Sequence, residues 1–192
     1  LHPWRVTSWC MPKASARFVA KMEDILDVYH RPYDPKRPQI CLDEARKELH
    51  STPHGTRPGH PGQPARQDYE YKRHGTASLF VWVEPLTGRR KARVTTRQTG
   101  FEGAEQLRLL VDEDYPDAEQ LVLVVDNLKT RSPACLYERF APEEARRIAR
   151  KLEWHYTPEH GSWLNIAECE LSVLARQCLD RRLPDISTLT NE

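Results

Sequence analysis

Leu121-Val122-Leu123-Val124-Val125-Asp126-Asn127 is the stretch that decides the fold of this chain. Five consecutive aliphatic residues leave no polar face. A strand with one wet face alternates apolar and polar residues, so this run reads as a strand covered on both sides, as in the interior of a parallel sheet. It ends in an acid. A second apolar run, Gln39-Ile40-Cys41-Leu42-Asp43, ends the same way. Carboxylates at the carboxyl ends of buried strands open onto the crevice where α/β sheets hold ligands. If the two strands are neighbours, Asp43 and Asp126 face one point.

Working outward, residues 77–83 (ASLFVWV) and 92–96 (ARVTT) flank Pro85-Leu86-Thr87-Gly88 and read as a hairpin. A helix is expected over about residues 101–113, with Leu107, Leu110 and Val111 on one side. Pro142, followed by Glu143 and Glu144, opens another, because proline fits a first helical turn and acids suit its positive end. Lys151 to Tyr156 reads as a short strand. A last helix is expected from Trp163 to Leu179, where Leu164, Ala167, Leu171, Leu174 and Cys178 recur at three and four residues. A hairpin beside parallel strands, with helices between them, makes an α/β domain with a mixed sheet. This element order resembles that of the RNase H-like fold.

Ahead of the first strand, ARFVAKMEDILDVY (16–29) carries a helical apolar stripe, and Pro32, Pro35 and Pro38 follow it closely. Residues 1–36 therefore read as a helical arm and stiff linker, with the main domain over 37–192. Residues 51–68 (STPHGTRPGHPGQPARQD) read as a loop. The chain begins at Leu1 rather than Met, which suggests a fragment, with the C-terminus expected to be truncated.

Hydrophobic residues make up 39% of the chain and charged residues 30%. No run approaches the roughly 18 apolar residues of a membrane span, and no N-terminal stretch has the order of a signal peptide. Net charge is +1, so charge alone does not point to nucleic acid. The five cysteines, Cys10, Cys41, Cys135, Cys169 and Cys178, form no C-x-x-C pair and read as free thiols of a reducing compartment. His50, His54, His60, His155 and His160 lack the tight Cys/His spacing of a zinc site. Arg89, Arg90, Lys91 and Arg93, then Arg146, Arg147, Arg150 and Lys151, then Arg181 and Arg182, read as solvated faces balanced by nearby acids or, alternatively, as phosphate contacts. Trp82 and Trp154 read as core, while Trp163 lies beside the proposed site.

Glu168 flanks the apolar stripe of the last helix and can reach the sheet edge. Three convergent carboxylates suit hard cations such as Mg²⁺ or Mn²⁺. Two such ions about 3.5–4 Å apart can serve in-line displacement at a phosphodiester. Glu170 flanks the same stripe from the other side, and residue types alone do not choose between it and Glu168. Glu44 adjoins Asp43, but strand alternation turns it to the opposite face.

The segment Tyr156-Thr157-Pro158-Glu159-His160-Gly161-Ser162-Trp163-Leu164-Asn165-Ile166-Ala167-Glu168 resembles the third-acid motif of DDE-type transposases of the mariner-like superfamily, bacterial insertion-sequence branch. Leu171 to Leu179 continues the likeness. Cys41-Leu42-Asp43-Glu44 resembles the first-acid motif and Val124-Val125-Asp126-Asn127 the second. Asp68-Tyr69-Glu70-Tyr71 and Gly75-Thr76-Ala77-Ser78 resemble the segment between them.

The resemblance implies a catalytic domain with Asp43, Asp126 and Glu168 as catalytic and metal-binding acids, Mg²⁺ or Mn²⁺ as cofactor with two ions expected, and DNA cleavage followed by strand transfer. It favours Glu168 over Glu170 through the Leu-Asn-x-x-Glu match. It implies double-stranded DNA as partner, a homodimer, and a bacterial cytoplasmic (nucleoid) location. Asn127, Arg131, His160, Ser162, Trp163 and Asn165 become candidates for DNA contact. Arg131 stands where the family usually has His. That departure keeps open a decayed or repurposed copy that only binds DNA or dimerises, and a nuclease that cuts without joining is a further alternative. The helix-turn-helix modules that family members carry before this domain are not found here.

Overall fold

The computed structural model describes residues 15–126 and 132–192. Its sheet is built from β1 (Gln39–Ser51), β4 (Lys72–Glu84), β5 (Arg89–Thr95), β6 (Leu121–Val125) and β7 (Leu152–Tyr156) in the order β5-β4-β1-β6-β7. β5, β4 and β1 pair antiparallel, whereas β1, β6 and β7 run parallel. The expected hairpin beside parallel strands is therefore present. A two-residue ribbon, β2 (Thr56–Arg57) with β3 (Arg66–Gln67), lies in the Pro/Gly segment read as a loop.

Every residue of β6 is buried, and alternation divides its side chains between two layers. Leu121, Leu123 and Val125 pack with Ala104 and Leu107 of α2 (Gly100–Leu109), Leu136 of α3 (Ala134–Arg139), and Ala145 and Ile148 of α4 (Pro142–Arg150). Val122 and Val124 pack on the other side with Ile25 and Val28 of α1 (Ala16–His30) and Ala167 of α5 (Ala167–Gln177). The chain is thus a three-layer α/β structure. A third cluster, Leu49, Ala77, Leu79, Leu179, Leu183 and Leu189, seats α6 (Ile186–Asn191) on the antiparallel half. Among the described residues no helix is long and apolar enough to cross a membrane.

Three expectations need correction. β1 does not end at Asp43; it runs on to Ser51, because the polar alternation after Asp43 suits a strand paired with β4 on one side. The last helix begins at Ala167 rather than Trp163. Residues 162–164 form a separate 3₁₀ turn, and the Asn165 side-chain oxygen accepts from the Ala167 amide at 3.2 Å, which favours a turn over helix continuation. The helix expected over 101–113 changes at Leu110 into a wider π turn that ends at Asp114.

The segment read as an arm and linker packs against the sheet. Ser15 caps α1 by accepting from the Phe18 amide at 3.1 Å, and Ile25 and Val28 are fully buried. The Lys36 carbonyl accepts from the Glu119 amide at 2.9 Å, and Pro38 from Val122 at 3.0 Å. Glu153 of β7 receives Arg31 at 2.7 Å, Arg37 at 2.5 Å and His155 at 3.0 Å, and His155 also meets Asp24 of α1 at 2.8 Å.

Cys41 and Cys135 are buried free thiols, and burial pushes both up to about 11, so they are inert at neutral pH. Cys10 lies outside the described residues.

Burial alone would raise the Glu153 carboxyl, but the hydrogen bonds from Arg31, His155 and Arg37 outweigh it and hold the group down at about 2. A carboxyl depressed on folding contributes stability that is complete above its unfolded value and lost as pH falls through the folded one. Urea unfolding of Glu153→Gln should show a loss of about 2 kcal/mol at pH 7. The difference from wild type should shrink between pH 5 and 2. A gap that persists unchanged at pH 2 would exclude this assignment.

Candidate active site

β1 and β6 pair in register from Gln39↔Val122 to Leu42↔Val125. β6 then ends while β1 continues. One further step of that register sets Asp43 beside Asp126. Cys41 and Val124, two residues earlier in each strand, both lie in the layer beneath α1 and α5, so alternation turns Asp43 and Asp126 toward that layer. Glu168 sits in the first turn of α5, directly after Ala167, which is fully buried in the same cluster. One carboxylate oxygen from each of Asp43, Asp126 and Glu168 lies within 4.8 Å of the others.

Asp43 is only 4% exposed, and Asp126 and Glu168 are half-buried. With Glu44, Gln98 and Ser172 they line an open cleft of about 410 Å³. Asp43 Oδ1 accepts from the Glu44 amide at 2.7 Å. The buried Thr157 hydroxyl donates to Asp126 Oδ1 at 3.1 Å, while its amide bonds to the Val125 carbonyl at 3.0 Å. Thr157 follows β7 directly, so its hold on Asp126 comes from the parallel β6–β7 pairing.

The rival acids go elsewhere. Glu170 meets Arg90 of β5 at 3.0 Å, on the far side of α5 from the cluster. Glu44 borders the same cleft, but its carboxylate is taken up by Gln98, which in turn receives Arg46. Among the described residues no Lys or Arg pairs with Asp126 or Glu168. Three hard oxygen donors at this spacing fit a divalent cation such as Mg²⁺ or Mn²⁺ better than a soft metal. A second group, His54 with Asp68 at 3.9 Å and Glu70 at 3.8 Å, lies in and beside the Pro/Gly loop and shares no residue with the first.

The remaining candidates divide. His160 is exposed, with a left-handed backbone (φ 60°), Ser162 is half-buried, and Trp163 is 63% exposed on the turn that leads into α5. Gly161 beside them is required, since a Cβ there would come within 2.5 Å of Pro158 Cγ. Asn165 is fully buried, and both ends of its amide are engaged inside the protein. Asn127 and Arg131 lie outside the described residues.

The basic clusters prove largely paired within the chain: Lys91 and Arg93 with Asp114 at 2.7 and 2.8 Å, and Arg147 with Asp112 at 2.8 Å and Glu144 at 2.7 Å. Residue types alone gave no reason to single out Thr157, Gln98 or Tyr29. Their partners are distant in sequence.

The family model described as DDE superfamily endonuclease matches residues 38–190. A comparison with curated protein sequences returned no match. Among solved structures, the Mos1 strand transfer complex is similar with a TM-score of 0.62 and 15% identity. The Mos1 mariner paired end complexes with Mg and with Mn give 0.60 and 0.56, at 16% and 18% identity. In each case the likeness covers 97% of this chain and 56% of the other, so this chain spans little more than half the length of those proteins. At these identities the likeness establishes the fold, which is the RNase H-like one.

The geometry separates the two glutamates experimentally. In a titration followed by the electron paramagnetic resonance of free Mn²⁺, Glu168→Gln should weaken binding by about tenfold or more, while Glu170→Gln should stay near wild type. Equal effects of the two would remove Glu168 from the site.

Proposed function

This chain belongs to the DDE superfamily endonucleases, and we propose that it is the catalytic domain of a transposase that cuts and joins double-stranded DNA. The observation that carries this reading is the meeting of Asp43, Asp126 and Glu168 within 4.8 Å at the carboxyl ends of two parallel strands. These three side chains would hold Mg²⁺ or Mn²⁺, two ions in the full reading. When bound, such ions activate an attacking oxygen and stabilise a leaving one.

The chain's own groups then divide the work. Asp43, deeply buried, anchors the floor of the cleft. Thr157 fixes the Asp126 carboxylate through one oxygen and leaves the other for a ligand. Glu168 closes the site from α5. Trp163, exposed beside the cleft, offers an aromatic face to a base near the scissile bond, and His160 and Ser162 offer polar contacts to the backbone.

In the cutting step a water oxygen attacks phosphorus, the bond to the 3′ oxygen breaks, and that oxygen takes up a proton. In the joining step the freed 3′-hydroxyl attacks a phosphodiester of target DNA, loses its proton, and displaces another 3′ oxygen. Both are in-line displacements at phosphorus, so one acid cluster serves both. The names of the similar structures describe paired-end and strand-transfer complexes of Mos1, which favours DNA ends as the substrate. A homodimer and a bacterial, nucleoid-associated setting complete the proposal.

Supercoiled plasmid incubated with the chain and Mn²⁺ should be nicked, and Asp126→Asn should reduce nicking to background. Pre-cut DNA ends should then be joined to target by wild type alone. Equal nicking by wild type and Asp126→Asn would overturn the enzymatic reading, and nicking without joining would reduce the activity to a nuclease.

A further inference from the structure

Asn165 is fully buried, yet its carboxamide is spent on two main-chain groups far apart in sequence. Its Nδ2 donates to the Leu42 carbonyl at 3.0 Å, and its Oδ1 accepts from the Ala167 amide at 3.2 Å. Leu42 immediately precedes Asp43, and Ala167 immediately precedes Glu168. One planar, rigid amide thus spans the backbones that carry the first and third acids. The Asn165 carbonyl also accepts from the Glu168 amide at 3.0 Å, which fixes the first turn of α5.

A second brace stands behind it. The Tyr29 hydroxyl of α1 donates to the Leu164 carbonyl at 2.7 Å, accepts from the Ile166 amide at 3.4 Å, and lies 3.3 Å from Cys41 Sγ. Burial pushes this hydroxyl well above its ordinary value, so it remains a donor. The residues on either side of Asn165 are therefore held from α1 while Asn165 itself reaches β1.

We propose that Asn165, supported by Tyr29, is the positioning residue that sets the span between Asp43 and Glu168 and so tunes the affinity of the three-acid site for a divalent cation. The inference rests on the reading of those acids as metal ligands. A merely structural asparagine would change stability when replaced. A positioning one also changes metal affinity in protein that remains folded, and added metal relieves the defect.

The test uses the full chain as wild type, Asn165→Ala, Asn165→Asp, Tyr29→Phe and Asp126→Asn. Asn165→Asp keeps the shape and the acceptor but places an oxygen against the Leu42 carbonyl. Tyr29→Phe removes only the hydroxyl, at a distance from the acids. Mn²⁺ binding is measured by paramagnetic resonance, melting in chelator by circular dichroism, and plasmid nicking as a function of Mn²⁺ concentration.

Asn165→Ala and Asn165→Asp should bind Mn²⁺ about 10- to 100-fold more weakly, with nicking restored toward wild type at high Mn²⁺. Tyr29→Phe should weaken binding in the same sense by a smaller factor, about threefold, with its fold intact. If the Asn165 variants do not fold, Tyr29→Phe decides, and wild-type Mn²⁺ affinity in it would overturn the proposal. Folded Asn165 variants that bind Mn²⁺ as wild type does, while Asp126→Asn does not, would overturn the positioning role and leave the metal-site reading intact. If wild type and Asp126→Asn bind Mn²⁺ alike, the reading of the acids fails, and this inference fails with it.

Discussion

The parallel pairing of β1 with β6 over four rungs, Gln39↔Val122 to Leu42↔Val125, is the constraint on which the site depends. The pairing sets both strand ends at one level, and its register fixes which face each acid uses. A slip of one residue would turn Asp43 to the α2 layer, where Leu42 now packs with Trp82, and separate it from Asp126. Such a slip would also move Ile40 and Leu42 out of the α2 layer, where they pack with Ala104 and Leu107. The hydrophobic pattern that specifies the core therefore specifies the site as well.

Bringing three carboxylates within 4.8 Å costs electrostatic energy, because like charges at this distance repel. The structure offsets part of that cost. Glu168 sits at the positive end of α5, Asp126 receives the Thr157 hydroxyl, and Asp43 receives a backbone amide. Among the described residues, basic side chains near the site pair with other acids. Arg90 is committed to Glu170, and Lys91 and Arg93 to Asp114. Under the proposed function, a divalent cation held by the three acids would offset the remaining repulsion.

Much of this was legible in the chain itself. The aliphatic run of β6, the hairpin and the proline-led α4 each carry a local signal, and the structure has all three. The Leu-Asn-x-x-Glu likeness selected Glu168, where helical geometry alone left Glu170 equal to it. What could not be read were features settled by distant partners. The extension of β1 beyond Asp43 depends on pairing with β4, to which the alternation after Asp43 is only suited. α3 and α6 are six residues each, too short for periodicity to show. The break before α5 follows from a side-chain oxygen competing for a helical amide. Asn165 sat within a motif that mixes exposed members, such as His160 and Trp163, with buried ones, such as Thr157 and Leu164, and position in a motif says nothing about burial.

The part played by α1 changes where the functional unit begins. The family match starts at residue 38, but the segment that presents Glu168 is held by Tyr29, and the end of β7 that supplies Thr157 is tied to α1 through His155 with Asp24 and Glu153 with Arg31. Ile25 and Val28 close the layer over Val122 and Val124. Without α1, those β6 side chains and the buried face of Cys41 would meet water, and the turn before α5 would lose the Tyr29 hydroxyl. The smallest piece able to hold the three acids in place therefore includes α1, because the helix supplies both apolar cover for the sheet and a hydrogen bond to the turn that carries the third acid.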